Sequence, residues 1–120
     1  MLVLSKKVNR LEIYLTVIGL GKDLCILLTG GDTPHLGALT FGTQNEIENT
    51  FSFGTHKEGV ITEIFSDRLK KCFSGKFVIC CGIHLDNITK LEIGVVKQLC
   101  TELAEESCNL LFYNNLCLEV

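Results

Sequence analysis

The chain has 120 residues, a formal charge of −3 and a pI near 5.6, which fits one domain spanning 1–120 and gives no overall attraction for nucleic acid or an anionic membrane. Hydrophobic residues make up 47% and charged residues 21%, a globular composition rather than a disordered one. No apolar run approaches the ~20 residues of a membrane span. The apolar start at Met1–Leu4 meets Ser5-Lys6-Lys7 at once, too soon for a secretory signal, so the chain reads as cytoplasmic.

Residues 8–18, VNRLEIYLTVI, alternate partially and are rich in β-branched and aromatic side chains, which predicts a first strand. A turn follows at Gly19–Asp23, and the apolar run Leu24–Thr29 reads as a central strand. Gly30-Gly31-Asp32-Thr33-Pro34 breaks that run, and His35–Gly42 alternates again, so a third strand is expected in a hairpin with the second. Residues 43–55 are polar and read as a loop with room for one short strand carrying Phe51 and Phe53.

The period then changes. Val60, Ile61, Ile64, Phe65, Leu69 and Cys72 recur at helical spacing, Thr55 and Glu58 stand as a capping box, and Ser74-Gly75 is a stop, which predicts a helix over 56–73. Lys76–Ile83 reads as a buried strand. A second helix over 88–108 is expected from the stripe Leu91, Val95, Leu99 and Leu103, widened by Val96 and Cys100. Asp86 or Asn87 as N-cap, or Thr89 with Glu92 as a capping box, marks its start. Residues 109–120 have room for a last short strand, LCLEV. The expected fold is α+β, an antiparallel sheet in β-β-β-α-β-α order with both helices on one face. Its other face must be polar or meet a partner. Val17, Leu39 and Phe41 do not suit solvent, so a homodimer through that face is expected.

The seven cysteines are Cys25, Cys72, Cys80, Cys81, Cys100, Cys108 and Cys117. Their odd number and the lack of any C-x-x-C pair give no zinc ribbon or redox motif. Most lie among apolar residues and read as small buried hydrophobes in a reducing compartment.

Chemistry concentrates at the three histidines. His35 follows Asp32 by three residues, His56 precedes Glu58 by two, and His84 precedes Asp86 by two. Glycines flank all three segments and allow close backbone approach. If the segments converge, Asp32, His35, His56, Glu58, His84 and Asp86 form one pocket for an anionic small molecule, because 55–58 and 86–89 fall at expected helix N-termini. The same residue types suit a divalent metal or a small metal- or anion-binding enzyme using His35, His56 and His84. They equally suit a plain structural role, with Asp32-Thr33-Pro34 as a turn and Thr55 and Asp86 as caps. Hydrolase, metalloprotease, P-loop and dinucleotide motifs are absent. Cys81 with His84 as a nucleophile pair requires a bend at Gly82 to overcome strand alternation.

Taken in order, Gly30-Gly31-Asp32-Thr33-Pro34-His35-Leu36-Gly37-Ala38, Thr55-His56-Lys57-Glu58 and Gly82-Ile83-His84-Leu85-Asp86-Asn87-Ile88-Thr89 resemble the small bacterial proteins of the prenylated flavin chaperone LpdD-like family. The resemblance covers most of residues 11–108. It implies a compact α+β domain of proteasome-assembly-chaperone-like fold that self-associates. It also implies a non-enzymatic accessory role for a decarboxylase dependent on prenylated flavin mononucleotide, such as a hydroxybenzoate or gallate decarboxylase. Prenylated FMN is then the candidate ligand, and the six motif positions are the binding residues. The resemblance carries no catalytic residue with it. The alternative is a small protein-interaction or assembly module without a ligand.

Overall fold

The computed structural model describes residues 1–46, 48–54 and 58–113. Its elements are β1 (Leu2–Val8), β2 (Leu11–Leu20), β3 (Asp23–Gly31), β4 (Ala38–Gly42), β5 (Asn49–Ser52), α1 (Gly59–Leu69), β6 (Phe77–His84) and α2 (Lys90–Tyr113). The fold is α+β, with a mostly antiparallel six-stranded sheet and both helices on one of its faces.

Alternation builds that face. Leu11, Ile13, Leu15 and Val17 of β2, Leu24, Ile26 and Leu28 of β3, and Phe77, Ile79 and Cys81 of β6 are all buried against the helices. Ile61, Phe65 and Leu69 of α1 and Val96, Leu99, Cys100, Leu103 and Ala104 of α2 close the core from above. A fully buried side chain of this size is worth ~1.5–3 kcal/mol relative to leaving it in water, so these rows dominate folding. A small polar network ties α1 to the sheet. The Thr40 hydroxyl meets Thr62 and Thr50, each at 2.7 Å, and the Thr62 hydroxyl donates to the Gly59 carbonyl at 3.0 Å. Thr40 and Thr62 are fully buried, and the chain of bonds satisfies them where solvent cannot.

The structure corrects the sequence reading in several places. Leu2–Val8 is an edge strand antiparallel to β2, with Val8 opposite Leu11. The turn is made by Asn9 in the left-handed region (φ 54°) and Arg10, inside the stretch expected to be one strand. The expected hairpin between the second and third strands does not form. The sheet order is β1-β2-β3-β6-β4-β5, with β6 parallel to β3 and antiparallel to β4. Residues 35–37 belong to the connection across the end of β6, so β4 starts only at Ala38. The optional strand is β5, paired with β4.

Both helix spans also differ. The first is shorter than 56–73, because residues 71–73 wind into turns on the carbonyls of Arg68 and Leu69. The second starts at Lys90, capped by Thr89 rather than Asp86 or Asn87, and runs on to Tyr113. Leu91 is exposed, and the buried stripe continues instead through Val96, Leu99, Cys100, Leu103, Ala104 and Ser107. Thr55, His56 and the segment 116–120 with Cys117 lie outside the described residues.

Cysteines divide into three environments. Cys81 and Cys100 are buried, and Cys25 and Cys80 are half-buried on the face away from the helices. Cys72 and Cys108, read from sequence as separate hydrophobes, form a disulfide with Cα atoms 5.7 Å apart, linking the end of the α1 segment to α2 across 36 residues.

Candidate functional site

The parallel pairing of β3 with β6 puts their carboxyl ends at one edge of the sheet. The first residues of α1 and α2 come to the same edge, because each helix follows a strand that ends there. This is where α/β sheets gather ligands, beyond strand carboxyl ends and beside helix N-termini.

Two glycines let the chain cross here. β4 lies beyond β6, so residues 32–37 must pass over the end of β6. Gly31 has φ 77°, and a Cβ on it would lie 1.9 Å from the His84 carbonyl oxygen. A Cβ on Gly82 would lie 1.4 Å from the His35 carbonyl oxygen. Backbone bonds fasten the crossing: Asp32 N–H donates to His84 O at 2.6 Å, and Gly37 N–H to Cys81 O at 2.9 Å.

The crossing brings two histidines together. Their rings lie 6.1 Å apart, nearly perpendicular. His35 Nε2 is 2.9 Å from Glu58 Oε1, and this inner pair is well shielded, with side chains 23% and 11% exposed. His35 Nδ1 faces the Thr33 carbonyl at 3.4 Å. His84 Nε2 is 3.0 Å from Asp86 Oδ1, an outer pair open to solvent. Asp32 Oδ2 accepts the Asp86 N–H at 3.1 Å and joins the two segments. Of the six residues singled out from sequence, Asp32, His35, Glu58, His84 and Asp86 therefore share one site. His56 lies outside the described residues. Glu58 stands at the N-cap of α1 with no side-chain cap bond, because its carboxylate faces His35 and the position Gly37 leaves open.

Sequence reasoning missed Arg10. Its guanidinium forks onto Glu92, with Nε donating to Oε2 at 2.7 Å and Nη2 to Oε1 at 2.9 Å. This bidentate geometry is the strong form of the pair. Asp32 and Asp86 add to the field that holds the Arg10 charge. The Asn9 turn is the signal that could have found it, because a left-handed asparagine ends a strand and swings the next side chain to the sheet edge.

The Arg10 bond, then the Thr89 N–H, hold Glu92 down at about 2, against an ordinary 4.5. Thr89 N–H donates to Glu92 Oε1 at 3.0 Å and Glu92 N–H to Thr89 Oγ1 at 3.1 Å, a complete capping box. A depressed carboxylate contributes stability that is present above 4.5 and disappears as pH falls towards 2. A carboxyl-carbon NMR titration should therefore place Glu92 near 2, and Arg10→Ala should move it back towards 4.5.

Other candidate chemistry falls away. Burial pushes the Cys81 thiol far up, and Cys81 faces the helices while His84 points to the opposite side of β6, so they form no nucleophile pair. Among the described residues no group of three or more His, Cys, Asp or Glu is placed to hold a metal ion. A cleft of about 440 Å³ lined by Lys22, Asp23, Phe73 and Lys76 lies at the opposite end of β6 and contains none of the motif residues.

The comparisons with known proteins cover this site. The prenylated flavin chaperone LpdD-like domain matches residues 7–111, from the strand before Arg10 to the last turn of α2. Protein LpdD of Lactiplantibacillus plantarum is 32% identical over 92 residues, which is 72% of this chain and 68% of that protein. With a family match over nearly all the described residues and a relative of this identity, the chain belongs to the prenylated flavin chaperone LpdD-like family.

Proposed function

We propose that this chain is a non-enzymatic accessory protein for a decarboxylase that uses prenylated FMN, and that it holds the flavin at the β3–β6 edge. The single observation that carries the reading is the convergence of His35–Glu58 and His84–Asp86 beside two helix starts. The donor chemistry fits a flavin phosphate. The Arg10 guanidinium and the His84 ring, whose Nδ1 is not the atom facing Asp86, would meet the anion, His35 would stand behind them on Glu58, and the helix dipoles add to the attraction. Each nearby carboxylate is tied within the protein: Glu58 to His35, Asp86 to His84, Glu92 to Arg10, and Asp32 to the Asp86 N–H. These ties reduce the repulsion an anion would meet. When bound, prenylated FMN would supply a reactive ring to the decarboxylase, and the present residues would bind and orient its phosphate. His56 belongs to the same motif set and is proposed as a further ligand residue.

The proposed accessory role is cytoplasmic and includes a protein partner of the decarboxylase class and self-association of the chain. Among the described residues no helix is long and apolar enough to cross a membrane.

Thermal unfolding with FMN, prenylated FMN and inorganic phosphate tests the reading on wild type, His35→Ala, His56→Ala and His84→Ala. A flavin at a hundred times its Kd should stabilise the wild type by ~2.7 kcal/mol. The shift should shrink in each histidine variant. No shift with either flavin, together with no co-purification of a decarboxylase, would sink the proposal.

A further inference from the structure

Arg10 stands in the two-residue turn between β1 and β2, just after the left-handed Asn9. An arginine on a surface turn ordinarily samples many rotamers, and an anion must order it on binding. Here the side chain is already ordered. Glu92 takes Nε and Nη2 in two short bonds, and the Asn87 carbonyl lies 3.5 Å from Nη2. Glu92 is held in its turn, because its Oε1 also accepts from the Thr89 N–H and hydroxyl at the start of α2. Exposure divides the pair: the Arg10 side chain is 48% exposed and that of Glu92 only 20%. The positive group therefore meets solvent while the negative one is shielded. The guanidinium is planar, so a carboxylate on its Nε–Nη2 side leaves the two Nη1 N–H groups beyond reach of that carboxylate. Among the described residues these two donors have no partner. Asn87 follows Asp86, which faces His84, so Arg10 and the outer histidine belong to one stretch of the edge.

We propose that Glu92 is a positioning residue, which holds Arg10 so that its Nη1 donors are preset for two oxygens of a phosphate. The proposal rests on the reading that this edge holds a flavin phosphate, and it names the device that selects that group. Charge alone predicts the opposite behaviour. Glu92 adds a negative charge near the anion, so a bystander carboxylate should tighten binding when it is removed. A positioning carboxylate should weaken binding when it is removed, although a repulsion goes with it. The sign of the change separates the two roles. The capping role of Glu92 can be kept apart, because glutamine serves in a capping box as glutamate does.

The test is calorimetric titration of the full chain with FMN and with inorganic phosphate at low ionic strength. Glu92→Gln should keep the circular dichroism of wild type and weaken both ligands roughly 5-fold, the scale of ordering one long side chain on binding. Arg10→Ala should weaken them further. Adding Glu92→Gln to Arg10→Ala should then tighten binding about twofold, since only the repulsion is left to remove. Glu105→Gln makes the same charge change on α2 beside Arg68 and should leave both affinities unchanged. NMR of the unliganded protein gives a readout that needs no ligand: the Arg10 Nε–H should exchange slowly in wild type and rapidly in Glu92→Gln. A Glu92→Gln chain that binds as tightly as wild type, or more tightly, would overturn the proposal and leave the flavin reading standing. So would an equal loss from Glu92→Gln in the Arg10→Ala background, or an Nε–H that Glu92→Gln leaves slow. A wild type that binds neither FMN nor phosphate would overturn both.

Discussion

Replacing Gly31 by alanine should cost about 2–4 kcal/mol of stability and weaken any ligand held at the β3–β6 edge. Two physical effects add. The left-handed backbone at φ 77° costs a β-carbon-bearing residue ~1–2 kcal/mol. The new Cβ would also sit 1.9 Å from the His84 carbonyl oxygen, so the chain leaving β3 must lift away. That movement stretches the Asp32 N–H to His84 O bond, worth ~1 kcal/mol, and carries Asp32 away from the Asp86 N–H. Gly21 is the control. It has a similar φ of 63° but nothing within 4 Å of its added Cβ, so Gly21→Ala should show the conformational cost alone, ~1–2 kcal/mol. Urea unfolding of both variants measures the difference. Equal losses would mean that the close crossing over β6 contributes nothing.

Phe65→Ala should have the largest effect on stability, about 3–5 kcal/mol. Phe65 is fully buried on α1 and stands in the core cluster between α2 and the sheet. The loss has two parts, the transfer of the ring's apolar surface and the cavity that neighbouring side chains cannot fill. Phe65→Leu keeps most of the volume and should cost less than half as much. Against the ~5–15 kcal/mol that holds a domain of this size, that loss is a large fraction of the total. Chemical denaturation of both variants is the check. An alanine variant within 1 kcal/mol of wild type would mean that α1 is not packed as described.

The elements written in local pattern were legible, and those set by distant contacts were not. Ile13, Leu15 and Val17 alternate plainly, so β2 was readable. Which side of it would meet the helices was not, because Ile18 and Leu20 are apolar too. The Thr89–Glu92 box located the start of α2, since its bonds stay within four residues. Val96, Cys100 and Ala104 form the buried stripe in place of Leu91 because the turn angle of α2 depends on where α1 lies. β1 was missed because an edge strand with Lys6 and Lys7 buries none of its residues fully, and its inward positions are only half-buried. The GGDTP segment looks like a hairpin turn, and no local signal reveals that β6, some fifty residues on, will enter the gap it spans. The histidine positions were legible as motifs, and the crossing explains why glycines accompany them. Arg10 had only the Asn9 turn as a local sign, and the Cys72–Cys108 link depended on long-range packing with no marker of its own.

The entry of β6 between β3 and β4 has a consequence for how this chain comes off the ribosome. β1, β2 and β3 can pair as soon as they emerge, because antiparallel neighbours need only short turns. β4 and β5 can pair with each other, but their hairpin has no seat in the sheet until Phe77–His84 is synthesised to bridge them to β3. During that interval the exposed edge of β3 and the apolar side chains of β4 are without their final neighbours, the kind of transient surface that makes a growing chain prone to aggregate. The sheet closes when β6 is in place, and α2, which follows it in the chain, then completes the helix-side core.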